Sequence, residues 1–138
     1  MPIPSQIIKQ RKAYLRKNKL TQTEKNDCTV IALAVVTGAT YGEAHETMRR
    51  CGRKVGRGYP LRHVLDRALA RHNCEATGLA HHKGMGKTTK GINLPRDHRY
   101  LVFVRGHVLA VQYGLVKDWT DDRAKRIRAI YKVERKNK

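Results

Sequence analysis

The chain has 138 residues, 40% of them hydrophobic, which is enough for one compact domain with a buried core that needs no disulfides. Lys and Arg number 30 against 11 Asp and Glu, and the net charge of +19 predicts attraction to polyanions such as nucleic acid, ribonucleoprotein or acidic surfaces. No apolar run approaches the roughly 20 residues that span a bilayer, and the N-terminal residues lack the apolar core of a secretory signal. We therefore expect a cytoplasmic protein that is not secreted.

The three cysteines lie far apart in the sequence, at Cys28, Cys51 and Cys74. An odd number of widely spaced cysteines predicts neither a disulfide framework nor a zinc knuckle, and reduced thiols fit an intracellular protein. His81 and His82 do not change this, because together with Cys74 they match no tetrahedral zinc pattern. We expect no metal and no cofactor.

The first half of the chain carries helical patterns. Residues 6–17 form a basic helix that either docks on the domain or acts as a basic arm, with Ser5 as its N-cap. Residues 28–37 are apolar on every side, which predicts a helix buried all round, although their five β-branched residues also suit a strand. Gly38 is placed to end this helix, and the segment from Thr40 to Glu43 is a capping box that starts the next one.

The second half changes to strand patterns. Pro60 starts the last predicted helix, and residues 74–98 follow no regular period. Four short strands are then expected at residues 100–104, 107–111, 115–119 and 127–133. Helices first and strands second indicate an α+β fold with an antiparallel sheet of about four strands at its C-terminal end.

Basic residues concentrate in three tracts, at residues 9–19, 49–57 and 123–138. Each tract alone is typical of a solvated surface, but together they favour a polyanionic partner, either nucleic acid or a ribonucleoprotein. We expect a single domain, with boundaries at 1–19 for the basic helix or arm, 20–134 for the domain and 135–138 for a basic tail.

Cys28 stands where the apolar helix is expected to begin, so the positive end of that helix would favour its thiolate. Asp27 opposes this effect unless its carboxylate is occupied as the helix cap. A cysteine nucleophile also needs an imidazole and a group that orients the imidazole, and His107 and Asp118 are the candidates for these two roles.

His107 and Asp118 lie on consecutive predicted strands, so the turn between the strands decides whether they meet. A turn centred on Tyr113-Gly114 places them diagonally on one face, and a turn centred on Gln112-Tyr113 places them directly opposite. Both registers bring their Cβ atoms within about 4.5–8 Å. A loop centred on Tyr113 alone would place them on opposite faces.

Two amide side chains precede the cysteine. Gln22 lies six residues before Cys28, and its amide is suited to hold an oxyanion together with the backbone N–H of Cys28. Asn26 is the other candidate for that role.

The order of these residues resembles papain-like cysteine peptidases, in which Gln-x5-Cys on a buried helix is followed by Gly-His at a strand start and Asp on the next strand. The pair Asp27-Cys28 resembles the bacteriocin-processing branch of that superfamily. Small papain-like proteins of bacteriophages are more similar still, and the segments that resemble them are 26–30, 37–38, 52–54, 99–111 and 118–119. The resemblance covers roughly residues 20–120.

The resemblance implies a papain-like fold in which the cysteine lies on a buried central helix packed against the sheet. It also implies a thiol hydrolase of peptide or protein substrates, acting on peptide or isopeptide amides in the host cytoplasm if the chain is phage-encoded. Its site residues would be Cys28 as nucleophile, His107 as general base and acid, Asp118 as orienting group and Gln22 as oxyanion donor. Asn26 and Trp119 are the candidate binding residues. The alternative is an inactive papain-like module that binds nucleic acid or a ribonucleoprotein.

Overall fold

The computed structural model describes residues 4–24, 27–56, 62–78, 98–104, 107–112, 115–117 and 127–136. Within these ranges four helices precede five strands. The helices are α1 (Pro4–Lys17), α2 (Cys28–Thr37), α3 (Tyr41–Arg50) and α4 (Arg62–Arg71). The strands are β1 (Cys74–Gly78), β2 (Arg99–Val104), β3 (His107–Gln112), β4 (Leu115–Lys117) and β5 (Ala129–Arg135).

The strands form one antiparallel sheet in the order β1-β5-β2-β3-β4. The α+β class with an antiparallel sheet is therefore confirmed, and the sheet has five strands where about four were expected. Strand β1 lies in the stretch for which no regular structure was predicted. Its five residues, Cys-Glu-Ala-Thr-Gly, pair with β5 from Cys74 opposite Arg135 to Gly78 opposite Tyr131. Pairing rather than local propensity makes this segment a strand.

Helix α2 is the centre of the core, and every one of its residues is buried. It packs against β3 and β2 on one side and against α3 on another. A second cluster of buried residues contains alternate positions of β2 and β3, one residue just before β5 and one residue of β5. It consists of Tyr100, Val102, Leu109, Val111, Ile127 and Ile130. Strands β2 and β3 are thus buried on both faces, which explains why β2 is apolar along nearly its whole length.

The choice between helix and strand for residues 28–37 is settled in favour of the helix. Gly38 ends it with a φ of 79°, and its N–H donates to the Ala34 carbonyl at 2.9 Å. Helix α3 begins with the predicted capping box, since Glu43 N donates to Thr40 Oγ1 at 3.2 Å and Thr40 N donates to Glu43 Oε1 at 2.9 Å. Both predictions are confirmed.

Helix α1 docks on the rest of the chain, because the side chains of Ile7 and Leu15 are buried in the same cluster as α2. It begins at Pro4, so Ser5 lies inside the helix and not before it as predicted. Proline suits the first helical position, where no N–H is needed. The predicted helix start at Pro60 lies outside the described residues. Among those residues no helix has both the length and the apolar character to cross a membrane.

Candidate active site

Helix α2 packs against strand β3, and one contact indicates how the two elements are oriented. At the C-terminal end of α2, Arg99 donates from Nη1 to the Val36 carbonyl at 3.1 Å, and Arg99 is paired with Gln112, the last residue of β3. Because α2 packs along β3, its other end lies near the beginning of that strand. Ten helical residues span about 15 Å and six strand residues about 20 Å, so the two elements have similar lengths. We infer from these contacts and lengths that Cys28 lies at the same end of the pair as the backbone of His107.

Cys28 begins α2 and belongs to the same buried cluster as Val108, the residue that follows His107. Its residue surface is 8% exposed, compared with 4% for Cys51 and 2% for Cys74, so it is the most accessible of the three cysteines. None of the three forms a disulfide. Cys28 therefore combines a helix N-terminus with more access from solvent than the other two thiols have.

Asp27 is completely buried, and its carboxylate makes a charged hydrogen-bond cluster instead of capping the helix. Its Oδ2 accepts from Arg11 Nε at 2.6 Å and from the hydroxyl of Tyr41 at 2.7 Å. Burial and the neighbouring Asp27 carboxylate raise the pKa of Tyr41, so its phenol stays neutral and donates. Asp27 therefore occupies the N-cap position of α2, as its sequence position predicts, but its side chain makes no capping hydrogen bond. The carboxylate is occupied by Arg11 instead, and this compensation of its charge weakens its opposition to a thiolate at Cys28.

Glu24 forms a second buried cluster. Its two carboxylate oxygens accept from Arg53, with Nη1 at 2.9 Å and Nη2 at 2.6 Å. The backbone N–H of Gly56 donates to the same carboxylate at 2.9 Å, and Nε2 of His45 lies 2.7 Å from it. Burial alone would raise the pKa of Glu24, but the hydrogen bonds from Arg53, His45 and Gly56 outweigh it and lower the pKa to about 2. Glu24 is therefore ionised throughout the physiological range.

Gln22 lies in a turn between α1 and this cluster. The N–H groups of Thr23 and Glu24 donate to the Leu20 carbonyl at 3.1 and 2.9 Å, and Leu20 N donates to the Leu15 carbonyl at 2.7 Å. The Gln22 residue is exposed. Its backbone is thus held by neighbours on both sides, while its amide is accessible to a ligand.

The remaining predicted site residues are only partly described. His107 opens β3 and its backbone pairs with Val104, but its side chain lies outside the described part of the structure. Asn26, Asp118 and Trp119 also lie outside the described residues. Their roles stay predictions.

The register of β3 and β4 bears on the predicted meeting of His107 and Asp118. Gln112 pairs with Leu115, and Ala110 pairs with Lys117, so two residues, Tyr113 and Gly114, connect the strands. This is the register in which positions 107 and 118 fall diagonally on one face if the pairing continues. The odd loop that would separate them does not occur.

Sequence reasoning missed both buried clusters. Glu24 and Asp27 are two of only 11 acidic residues in the chain, and both stand close before Cys28. That concentration of rare carboxylates is the one available signal. Their partners Arg11, Arg53 and His45 lie 16, 29 and 21 residues away from the carboxylates they contact, beyond the reach of any local pattern.

Comparison of the chain with protein-family models, with curated proteins and with solved structures finds no match in any of the three.

Proposed function

We propose that the protein is a papain-like thiol hydrolase that cleaves a peptide or isopeptide amide through Cys28. The observation that carries the proposal is that Cys28 begins a buried helix and that this helix packs along β3, the strand that begins with His107. A helix N-terminus stabilises a thiolate, and an adjacent imidazole would do so further. The roles of His107 and Asp118 come from the resemblance to papain-like peptidases.

The reaction needs few groups. The Cys28 thiolate attacks the carbonyl carbon of the amide, and the electron pair of the C=O bond moves to oxygen, where the Gln22 amide and the Cys28 N–H stabilise it. As the tetrahedral intermediate collapses, His107 gives its proton to the departing amine and a thioester remains. His107 then takes a proton from water, and the resulting hydroxide adds to the thioester carbonyl. The C–S bond breaks with its electron pair on sulfur, so the Cys28 thiolate and the protonated His107 are restored as the acid product leaves.

The charge around the cysteine supports this chemistry. Both acidic residues next to it in sequence, Glu24 and Asp27, are paired with arginines, so neither presents an uncompensated negative charge to Cys28. An uncompensated carboxylate within a few ångströms would raise the energy of the thiolate.

The proposal is tested with a peptide vinyl sulfone, a reagent that labels an activated thiolate covalently. We expect one label per wild-type chain, located at Cys28 by mass spectrometry, and no label in Cys28→Ala. Cys51→Ala is the matched control and should label like the wild type, since Cys51 lies at the end of α3 and in no proposed role. Equal labelling of wild type and Cys28→Ala would contradict the proposal.

A second function, binding of nucleic acid, is favoured by one specific observation. One surface of α1 and the residues that follow it is uniformly cationic, and no acidic residue occurs from Pro4 to Thr23. Five cations on it are exposed, at Lys9, Lys12, Arg16, Lys17 and Lys19. Since Ile7 and Leu15 fix the opposite side of α1 in the core, these charges have a fixed arrangement, which suits a phosphate backbone better than a mobile arm does.

The basic face of α1 is tested by the salt dependence of binding to a fluorescent single-stranded oligonucleotide. We expect the triple variant Lys9→Glu, Lys12→Glu, Arg16→Glu to bind the oligonucleotide more weakly than the wild type. Its slope of log affinity against log salt should be less steep by about 2, because each phosphate that is no longer neutralised contributes about 0.7. The control with the same change in charge is Arg67→Glu, Arg71→Glu, Lys136→Glu, at exposed positions elsewhere. Equal weakening in both triple variants would show that net charge, and not this face, governs binding.

A further inference from the structure

The hydrolase mechanism does not use Glu24, although Glu24 is 1% exposed and accepts hydrogen bonds from two separate parts of the chain. We propose that Glu24 is a positioning residue: with Arg53 and Gly56 it holds the turn that carries Gln22, so that the Gln22 amide meets the oxyanion formed on Cys28. This inference rests on the proposed hydrolase function.

The loop after α3 forms the platform on which the Gln22 turn lies. Arg53 binds Glu24 with both terminal nitrogens, a two-point contact that fixes orientation as well as distance. Gly56 adds its N–H, and it adopts a φ of +82° that only glycine accepts without strain. A Cβ at Gly56 would lie 3.0 Å from the carbonyl oxygen of Thr23, the residue next to Gln22. The platform is thus in close contact with the turn itself.

A second anchor holds the chain on the cysteine side. Asp27 is fixed by Arg11 and Tyr41, and Arg11 also donates from Nη2 to the Glu24 carbonyl at 3.3 Å. The backbone between Gln22 and Cys28 is therefore tied at two buried carboxylates. An oxyanion donor is effective when it is already in place before charge develops, because no reorganisation is then needed.

Stability alone does not account for the cluster. A buried ion pair gives little net stabilisation compared with apolar side chains of similar volume, since desolvation offsets most of the attraction between the charges. What the pair of Glu24 and Arg53 provides is a defined geometry.

Two reagents separate positioning of Gln22 from activation of Cys28. Iodoacetamide alkylates a thiolate by displacing iodide, and no oxyanion forms. A peptide aldehyde adds the thiolate to its carbonyl carbon, so a sulfur–carbon bond forms and the C=O electron pair moves to an oxygen in the oxyanion position. Loss of Gln22 positioning should therefore weaken aldehyde binding and leave alkylation unchanged.

The experiment measures how well an N-acetyl dipeptide aldehyde protects Cys28 of the full chain from iodoacetamide. We expect Gln22→Ala and Glu24→Gln each to lower the affinity of Cys28 for the aldehyde by about 10²-fold, which is the size of effect found on removing one oxyanion donor. Alkylation of Cys28 without aldehyde should proceed at the wild-type rate in both. The double variant should bind the aldehyde no more weakly than Gln22→Ala does, because the two residues act in one step.

Two further variants complete the test. Gly56→Ala leaves both buried charges in place and displaces the Thr23 carbonyl, so it should lower the affinity for the aldehyde in the same way. It keeps the test valid even if Glu24→Gln folds poorly. Glu46→Gln is the control: it removes an exposed carboxylate that contacts Arg49 and Arg50 on α3, and it should change nothing.

Wild-type affinity for the aldehyde in both Glu24→Gln and Gly56→Ala would overturn the positioning role while leaving the hydrolase intact. Additive losses in the double variant, or alkylation slowed as much as aldehyde binding, would also overturn it, because either result shows a general disturbance of the site. A wild-type protein in which Cys28 binds no aldehyde would overturn the hydrolase and the positioning role together.

Discussion

Replacement of Arg53 by methionine is expected to lower the free energy of unfolding by about 3–5 kcal/mol, as is usual when one partner of a buried ion pair is removed. The Glu24 carboxylate would keep Gly56 N–H and His45 as neighbours but lose the guanidinium that binds both of its oxygens. Urea unfolding followed by circular dichroism measures the difference. Arg50→Met is the matched control, because Arg50 contacts Glu46 on the exposed side of α3 and its loss should matter little. If Arg53→Met lost no more free energy of unfolding than the control, that result would contradict a buried, fully ionised pair of Glu24 and Arg53.

The same cluster makes the protein sensitive to acid in a defined range. The pKa of Glu24 falls from its usual 4.5 to about 2 on folding. A carboxylate with a lowered pKa contributes stability above its unfolded pKa, and that contribution is lost as the pH falls through the folded value. We expect the wild type to lose about 3 kcal/mol from this group between the two values, and Glu24→Gln to lack that component. Identical profiles of unfolding free energy against pH in the wild type and Glu24→Gln would contradict this contribution of Glu24.

Local sequence patterns were sufficient for the helices around the site. The all-apolar run of α2, Gly38 at its end and the capping box from Thr40 to Glu43 each depend on neighbours within four residues, and the structure has all three. Strand β1 escaped prediction because its apolar and polar residues alternate over only four positions, Cys74 to Thr77, and Glu, Ala and Gly are weak strand formers; it becomes a strand by pairing with β5, more than 50 residues later in the chain.

The two buried carboxylates could not be assigned from sequence for a related reason. Glu24 stands in a polar stretch and Arg53 in a basic, glycine-rich one, and each stretch alone is typical of a solvated loop. Only the packing of α3 against α1 brings the two together and removes them from water. Asp27 likewise has the residue type and the position of a helix cap, but the tertiary contacts with Arg11 and Tyr41 compete successfully for its carboxylate.

The reactivity of Cys28 should depend strongly on His107. A thiol next to an imidazolium and a helix N-terminus ionises between about pH 3.5 and 7.5, against about 8.5 for an ordinary cysteine. In His107→Asn, which keeps a polar group of similar size but no basic nitrogen, only the helix contribution remains. We therefore expect the alkylation rate of Cys28 at pH 6 to fall by at least about 10-fold, the ratio that corresponds to one pKa unit.

The most direct measurement is the rate of alkylation by iodoacetamide as a function of pH, determined for each cysteine by mass spectrometry. Cys51 and Cys74 are internal controls in the same sample, and burial raises the pKa of Cys74, so it should react slowly below pH 8. We predict that Cys28 of the wild type reaches half its maximal rate below about pH 7 and that in His107→Asn this midpoint moves towards about 8.5. A Cys28 that reacts no faster than Cys51 at pH 6, with the same profile in both proteins, would contradict the assignment of Cys28 as an activated nucleophile.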